Sequence, residues 1–247
     1  MNSKLICAVI SFASITTLAN PADEYGGEIT LWPKDHGKFL FVNTQKTVCA
    51  DILARPVNAL AVDFNIDIQL VDGSAPDLRA VPAELTKLKA KGAVWIVDDA
   101  ALPRVLTATE DGWAVLNVSQ INADKPEQKQ LSERIFREVY RVFGFLNGTT
   151  DPEMMPQCVM KPSHGVKGLD ELVCRNYSPS SFAKIQAYLA AEGYKQKQSG
   201  TYYDACEEGW APAPTNAVQK SIWDKVHQLP TKPLTIQRES ERNKGKK

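Results

Sequence analysis

Near its middle the 247-residue chain carries the segment Arg137-Glu138-Val139-Tyr140-Arg141-Val142-Phe143-Gly144-Phe145-Leu146-Asn147. Apolar residues recur in and just before this segment at intervals of three and four, at Leu131, Ile135, Val139, Val142 and Leu146. The opposite side at this period is charged and consists of Arg134, Arg137, Glu138 and Arg141. The spacing predicts an amphipathic helix over residues 128–143.

The residues before this helix alternate between strand patterns and helix patterns. Short apolar or alternating runs predict strands, and apolar residues at helical spacing predict helices. The predicted order is a strand at 38–42, a helix at 48–60, a strand at 64–71, a helix at 82–91, a strand at 93–97, and a strand pair at 104–109 and 113–118 joined by a turn at 110–112. This order, β-α-β-α-β-β-β-α, predicts an α/β (α+β) body.

The residues after 147 predict a smaller and mostly helical part. One helix is predicted at 180–192, between Ser178-Pro179 and Gly193, and another at 215–228. Between them, Trp210-Ala211-Pro212-Ala213-Pro214 predicts a stiff connector.

The segment at 137–147 repeats the frame of HExxHxxGxxH, the zinc motif of the metzincin peptidases, and keeps its glutamate and its glycine as Glu138 and Gly144. The three zinc-ligand positions hold Arg137, Arg141 and Asn147. A Cys158-Val159-Met160 triplet follows at a distance typical of the methionine turn below the metal site. Together with the strand order, these motifs make residues 38–190 resemble metzincins, and archaemetzincins in particular.

The resemblance implies a twisted mixed sheet with helices and a division of the chain. Residues 38–147 would form the N-terminal subdomain ending in the motif helix, and residues 148–229 a C-terminal subdomain containing the methionine turn. It also implies roles: Glu138 stands at the general-base position, Gly144 at the helix-ending glycine and Met160 in the methionine turn. Archaemetzincins hold a second, structural zinc with four clustered cysteines, whereas only Cys158 and Cys174 lie in that region here.

The residues at the ligand positions argue against zinc at the motif helix. A guanidinium group keeps its proton in proteins and offers no lone pair. At an effective dielectric near 20, a dication about 4 Å from one such group is repelled by roughly 8 kcal/mol. We therefore expect no metal cofactor and a vestigial Glu138. Asp151, Glu153, His164 and Glu138 are the candidates for a displaced site, although nothing in their spacing predicts one.

The two ends of the chain predict an exported protein with a basic tail. Residues 1–19 resemble a signal peptide, because Lys4 precedes the apolar run from Leu5 to Leu18, and Thr17-Leu18-Ala19 fits a cleavage site. Residues 20–37 would be an N-terminal extension and residues 230–247 a solvated tail. The run is too short for a transmembrane segment. The 29 basic and 29 acidic residues balance, which gives no indication of nucleic-acid binding.

The cysteines of the expected mature chain are even in number, which in an exported protein predicts two disulfides. They are Cys49, Cys158, Cys174 and Cys206. Of the three possible connectivities we favour Cys158–Cys174 with Cys49–Cys206, because the first pair closes a short loop after the motif helix.

Three functions are compatible with these features. The preferred one is a secreted pseudoprotease, a binding module whose former metal site is an arginine-lined cleft for a peptide, a protein or an anionic glycan. The residues of that cleft would be Arg134, Arg137, Arg141 and Asn147, since guanidinium groups pair well with planar anions. The second is an active hydrolase with a displaced metal site. The third is a structural exported protein with a filled cleft.

Overall fold

The computed structural model describes residues 25–44, 46–149, 155 and 157–228. These residues form two compact units, one made of residues 32–198 and a smaller one that combines residues 25–31 with residues 199–228. The expected signal peptide and the basic tail at 230–247 lie outside the described residues. No helix in the described part is both long enough and apolar enough to cross a membrane.

Strands and helices alternate along most of the larger unit. In chain order the elements of both units are β1 (Glu28–Leu31), β2 (Lys38–Thr44), α1 (Ala50–Phe64), β3 (Asp67–Gly73), α2 (Val81–Leu88), β4 (Gly92–Val97), β5 (Val105–Ala108), β6 (Trp113–Asn117), α3 (Val118–Ile121), α4 (Gln128–Leu146), α5 (Gly165–Asp170), α6 (Pro179–Ala191), β7 (Gln198–Thr201), α7 (Tyr202–Glu207) and α8 (Ala217–Gln228). The predicted α/β class is confirmed. The short elements β1, α3, α5, β7 and α7 are additional to the prediction.

A five-stranded mixed sheet forms the centre of the larger unit, with the strand order β3-β2-β4-β6-β5. Strands β3, β2, β4 and β6 run parallel to one another, and β5 at the edge runs antiparallel to β6. Strand β4 is buried along its whole length. Its continuous apolar sequence, Gly92–Val97, is typical of a parallel strand that is covered on both faces.

The two faces of the sheet contact different helices. Phe41, Val94 and Leu116 lie in the core that helices α1 and α4 complete. Trp95 and Val115 lie on the other face, where α2 covers them. Because successive side chains of a strand point to opposite faces, the register of each strand determines which of its residues enter each of the two cores. The motif helix α4 therefore packs on one face only, and the shorter α2 packs on the other.

The smaller unit has its own apolar cluster, around Tyr202, Cys206 and Ile222. Strands β1 and β7 pair with each other, and the side-chain amide of Gln219 donates to the carbonyl oxygen of Gly26 at 3.1 Å. The boundary predicted between residues 147 and 148 lies inside the larger unit. The chain passes from the larger unit to the smaller one at residue 199.

Helix α4 does not end at Gly144, so that part of the prediction is wrong. It continues to Leu146, and Asn147 is its C-cap. The left-handed backbone conformation lies further on, at Gly148, with a φ of 96°. A Cβ atom at Gly144 would lie 2.8 Å from the Sδ atom of Met160. Glycine is therefore needed at 144 for close packing against the methionine turn, and not for ending the helix.

The predicted disulfides are also wrong, since none joins the cysteines of the described residues. The sulfur of Cys158 is buried and accepts hydrogen bonds from the backbone amides of Met160 and Ser178, at 3.4 and 3.3 Å. Cys174 accepts from the amide of Asn176 instead. The remaining two occupy separate places: Cys49 is exposed at the start of α1, and Cys206 is buried in the smaller unit.

Substitution of Gly144 by alanine tests the packing of α4 on the methionine turn. Alanine normally stabilises a helix interior relative to glycine. Here the new methyl group would meet Met160 Sδ and Thr149 Oγ1, both at 2.8 Å. We expect Gly144→Ala to lower the free energy of unfolding by about 1–3 kcal/mol, as measured by urea denaturation.

The control is the same substitution in a Met160→Ala background. The cost of Gly144→Ala should be smaller there, because one of the two clashing atoms is gone. A Gly144→Ala protein that is more stable than the wild type would contradict the packing.

Candidate functional site

Most of the charged side of α4 is buried, and Arg137 is half-buried. Arg134 and Glu138 are each 1% exposed and Arg141 is 5% exposed. The segment that covers them follows the methionine turn and includes α5, whose residue Leu169 accepts a hydrogen bond from Arg137 at 3.0 Å. Among the described residues the guanidinium groups bind groups of the protein itself, and these residues do not form the open arginine-lined cleft that the sequence suggests.

Arg141 holds the methionine turn against α4. Its Nη1 atom donates to the carbonyl oxygens of Val159 at 2.7 Å and Lys161 at 2.6 Å. The guanidinium carbon also lies 5.5 Å from the ring centroid of Phe145, within the range of a cation–π contact. A side chain at a zinc-ligand position of the motif thus binds the backbone on either side of Met160.

Glu138 lies between two guanidinium groups. Its Oε1 atom is 3.2 Å from Nε of Arg104 and 3.7 Å from Nε of Arg141. Arg104 precedes β5, and it donates from Nη1 to the carbonyl oxygen of Gly165 at 2.6 Å and from Nη2 to that of Ser163 at 3.2 Å. The Glu138–Arg104–Arg141 cluster therefore joins α4, the sheet edge and the segment after the methionine turn.

Opposing effects act on the protonation of this cluster. Burial raises the pKa of Glu138 above its ordinary value, while the charges of Arg104 and Arg141 act in the other direction. Burial also lowers the pKa of Arg141, and the charge of Glu138 opposes that shift. Arginine stays protonated in proteins even so. The carboxyl group of Glu138 is thus the titrating member of the cluster.

Every N–H group of the Arg134 guanidinium donates a hydrogen bond to another group of the protein. Its Nε and Nη2 atoms donate to the Asp170 carboxylate at 2.8 and 2.6 Å, and its Nη1 and Nη2 atoms donate to the Asp124 carboxylate at 2.6 and 2.9 Å. The carbonyl oxygen of Ile121 accepts from Nη1 at 3.0 Å. These contacts use all five N–H groups of a guanidinium. Hydrogen bonding to Arg134 lowers the pKa of both Asp124 and Asp170.

Asn147 lies apart from the other two ligand positions. Its side-chain amide donates to the carbonyl oxygen of Phe143 at 2.8 Å and so caps the last turn of α4. Because the helix continues through Gly144, Asn147 lies about 120° around the helix axis from Arg141, at 3.6 residues per turn. The three ligand positions of the motif do not converge on one point.

These residues do not fit a zinc ion. Zinc requires ligands with a lone pair in a tetrahedral arrangement, whereas Arg137 and Arg141 present N–H donors that are already bound to carbonyl oxygens. His164, a candidate for a displaced site, is exposed at the N-terminus of α5. No group of three or more His, Cys, Asp or Glu side chains is placed to hold a metal in the part of the chain that is described, which leaves out Asp151 and Glu153.

Two solved structures align with this chain. The crystal structure of an archaemetzincin from Methanopyrus kandleri aligns with a TM-score of 0.52 and 15% sequence identity, over 65% of this chain and 99% of that one. A zinc-dependent peptidase from Methanocorpusculum labreanum aligns with a TM-score of 0.49 and 14% identity, over 60% of this chain and 100% of that one. The sequence matches no protein family model and no curated protein. The fold of this chain is archaemetzincin-like, as its motifs suggested.

Arg104 is the member of the site that the sequence did not reveal. It belongs to no motif, and it lies far from α4 along the chain. The only available signal is its place at the start of the predicted edge strand, which the fold brings next to α4. Arg134, Arg137 and Arg141 lie on one side of α4, and most of that side is covered by protein.

Glu138→Gln tests the buried carboxyl group through the pH dependence of stability. A carboxyl group whose pKa rises on folding favours the native state below its ordinary pKa, about 4.5, and this contribution is lost as the pH rises through the folded-state pKa. Near pH 4.5 the wild-type carboxyl group is protonated in the native state and the glutamine mimics it, so the two proteins should have similar stability there. As the pH rises from about 4.5 to 7, the variant should gain stability relative to the wild type, because deprotonation of Glu138 costs the wild type free energy.

Urea unfolding at a series of pH values measures this trend. Glu133→Gln, on the same helix and paired with Arg175 at 2.7 Å, is the matched control for loss of a carboxylate. A variant that instead loses stability relative to the wild type toward neutral pH would show that the guanidinium charges outweigh burial.

Proposed function

We propose that this chain is a catalytically inactive homologue of metallopeptidases, which binds a peptide or protein partner without cleaving it. One observation carries the proposal: the Arg141 guanidinium stands at a ligand position of the zinc motif and donates to Val159 and Lys161, while Glu138 is buried against it. The centre that would hold a metal in the resembled class is here a set of contacts within the protein.

The loss of hydrolysis in this proposal has two chemical reasons. Arg137 and Arg141 offer a zinc ion repulsion and no lone pair, and so we propose that the motif helix holds no zinc. Glu138, 1% exposed and between two guanidinium groups, has no access to a substrate or an attacking water. A general base must reach the proton that it removes.

The binding role draws support from the part of the fold that is kept. The fold is archaemetzincin-like although Arg137, Arg141 and Asn147 stand at the zinc-ligand positions of the motif. The arginines give no support to an anionic glycan as the ligand, since Arg134 and Arg141 direct their donors inward. We therefore favour a peptide or protein as the partner, bound at a surface away from the motif helix.

The site of action in this proposal is outside the cytoplasm, either secreted or periplasmic. It rests on the apolar run from Leu5 to Leu18 and the Thr17-Leu18-Ala19 sequence. These residues lie outside the described part of the structure.

Metal analysis of the purified protein tests the proposal directly. After brief exposure to zinc and removal of the excess, elemental analysis should find no stoichiometric zinc, and no chelator-sensitive peptidase activity should appear. About one zinc per chain, lost on Glu138→Ala or His164→Ala, would overturn the proposal in favour of a displaced metal site. Lys167→Ala, on the exposed side of α5, serves as the control variant.

Histidine substitutions test why the motif frame fails to make a metal site. Arg137→His with Arg141→His places two imidazoles at i and i+4 on one helix face and should create weak zinc binding, measurable by calorimetry. Adding Asn147→His should not strengthen it further, because residue 147 lies on another side of the continuing helix. A triple variant that binds zinc at least tenfold more tightly than the double variant would contradict this geometry.

A further inference from the structure

The strand order of the sheet reverses direction between β2 and β4. From β2 the chain passes through α1 to β3 on one side, and from β3 it passes through α2 to β4 on the other side of β2. Helices α1 and α2 cover opposite faces of the sheet. In open parallel sheets the loops separate at such a point, and they leave a crevice outside the carboxyl ends of the two strands.

A cavity of about 380 Å³ occupies this crevice, and we refer to it as the switch-point cavity. Its lining includes Thr44 at the end of β2, Val97 at the end of β4 with Asp98 and Asp99 after it, and Leu78 from the loop before α2. This volume falls at the lower end of the range of about 300–1,000 Å³ for small-ligand pockets. It can hold one side chain or a small molecule.

The lining combines an apolar wall with an acidic rim. Val97 and Val115 are buried at the base, and Leu78 is partly exposed at the mouth. Asp98 and Asp99 are both exposed, and no lysine, arginine or histidine is among the described residues that line the cavity. A ligand that matches this lining has an aliphatic stem and a cationic end.

The two aspartates have different tasks in the fold. Asp99 organises its own loop, since its carboxylate accepts from the amide of Ala101 at 2.9 Å and its carbonyl accepts from Asn117 at 2.6 Å. The Asp98 carboxylate makes no hydrogen bond or ion pair with the described residues. Asp98 is thus available for a ligand, and Asp99 adds a second negative charge beside it.

We propose that the switch-point cavity binds an alkylammonium or alkylguanidinium group, with its stem on Val97 and Val115 and its charge at Asp98. This site is separate from the motif helix, because its valines belong to the sheet face that α2 covers, whereas α4 packs on the opposite face. The inference goes beyond the proposed loss of peptidase activity, and it holds whether or not α4 binds metal.

The test measures binding of n-pentylamine to the full chain by NMR shift titration, with pentanoate as the anionic counterpart of similar length. Pentylamine should bind and shift the amides of residues 97–99, and pentanoate should not bind. Asp98→Asn should weaken pentylamine binding about 5- to 30-fold, the range for loss of one charge-assisted contact. Asp111→Asn, an exposed aspartate in the turn before β6, is the charge-matched control and should leave the binding unchanged.

A second variant, Leu78→Arg, places a cation at the partly exposed mouth of the cavity and should abolish binding. Comparison of pentylamine with N-acetyl-lysine methylamide separates the two sources of the cationic group: tighter binding of the former indicates a free amine, and of the latter a lysine side chain in a peptide. Equal binding of pentylamine and pentanoate, or equal loss in Asp98→Asn and Asp111→Asn, would overturn the proposal.

Discussion

A buried carboxylate must be stabilised by opposite charges or hydrogen bonds at short range. For Glu138 the opposite charges are those of Arg104 and Arg141. This requirement fixes more than one side chain. Arg104 comes from the start of the sheet edge, and Arg141 reaches the backbone of the methionine turn. The position of the segment after α4 depends on these contacts, because Val159, Lys161, Ser163 and Gly165 bind the two arginines through their carbonyl oxygens. The burial of the charged side of α4 follows from that segment.

Buried ion pairs contribute less to stability than their contacts suggest, since desolvation offsets much of the attraction. Their clearer effect is on specificity, because a misplaced segment would leave a buried charge without a partner. Arg134 gives the strongest case here: two carboxylates and one carbonyl oxygen use its whole guanidinium, and they come from the residues before α4 and from α5. We infer that these polar contacts select one arrangement of the segment on α4, while the apolar cores supply most of the driving force for folding.

Much of the fold was accessible from the sequence, because hydrophobic periodicity reports directly on the faces of strands and helices. The buried run of β4 and the apolar side of α4 are examples. The site was less accessible, since periodicity shows that Arg134, Glu138 and Arg141 share a side without showing what covers it. The long-range partner Arg104 carries no local signal at all. The helix end at Gly144 is wrong for a related reason. The sequence does not distinguish a glycine required by close contact with Met160 from a glycine required by a helix end. The predicted disulfides rest on the even number of cysteines and on the expectation of an exported chain. Neither shows that the sulfur of Cys158 accepts hydrogen bonds from backbone amides.

The cluster around Glu138 also constrains how such a chain can change over generations. Exchange of Arg141 for histidine alone removes a charge and two carbonyl contacts, and it leaves Arg104 as the remaining guanidinium beside Glu138. A single step at Arg141 toward a metal-ligand set therefore passes through a less stable protein, whereas a concerted change requires several substitutions at once. Once established, the mutual dependence of these charged residues therefore favours retention of the metal-free centre over its reversion to a metal site.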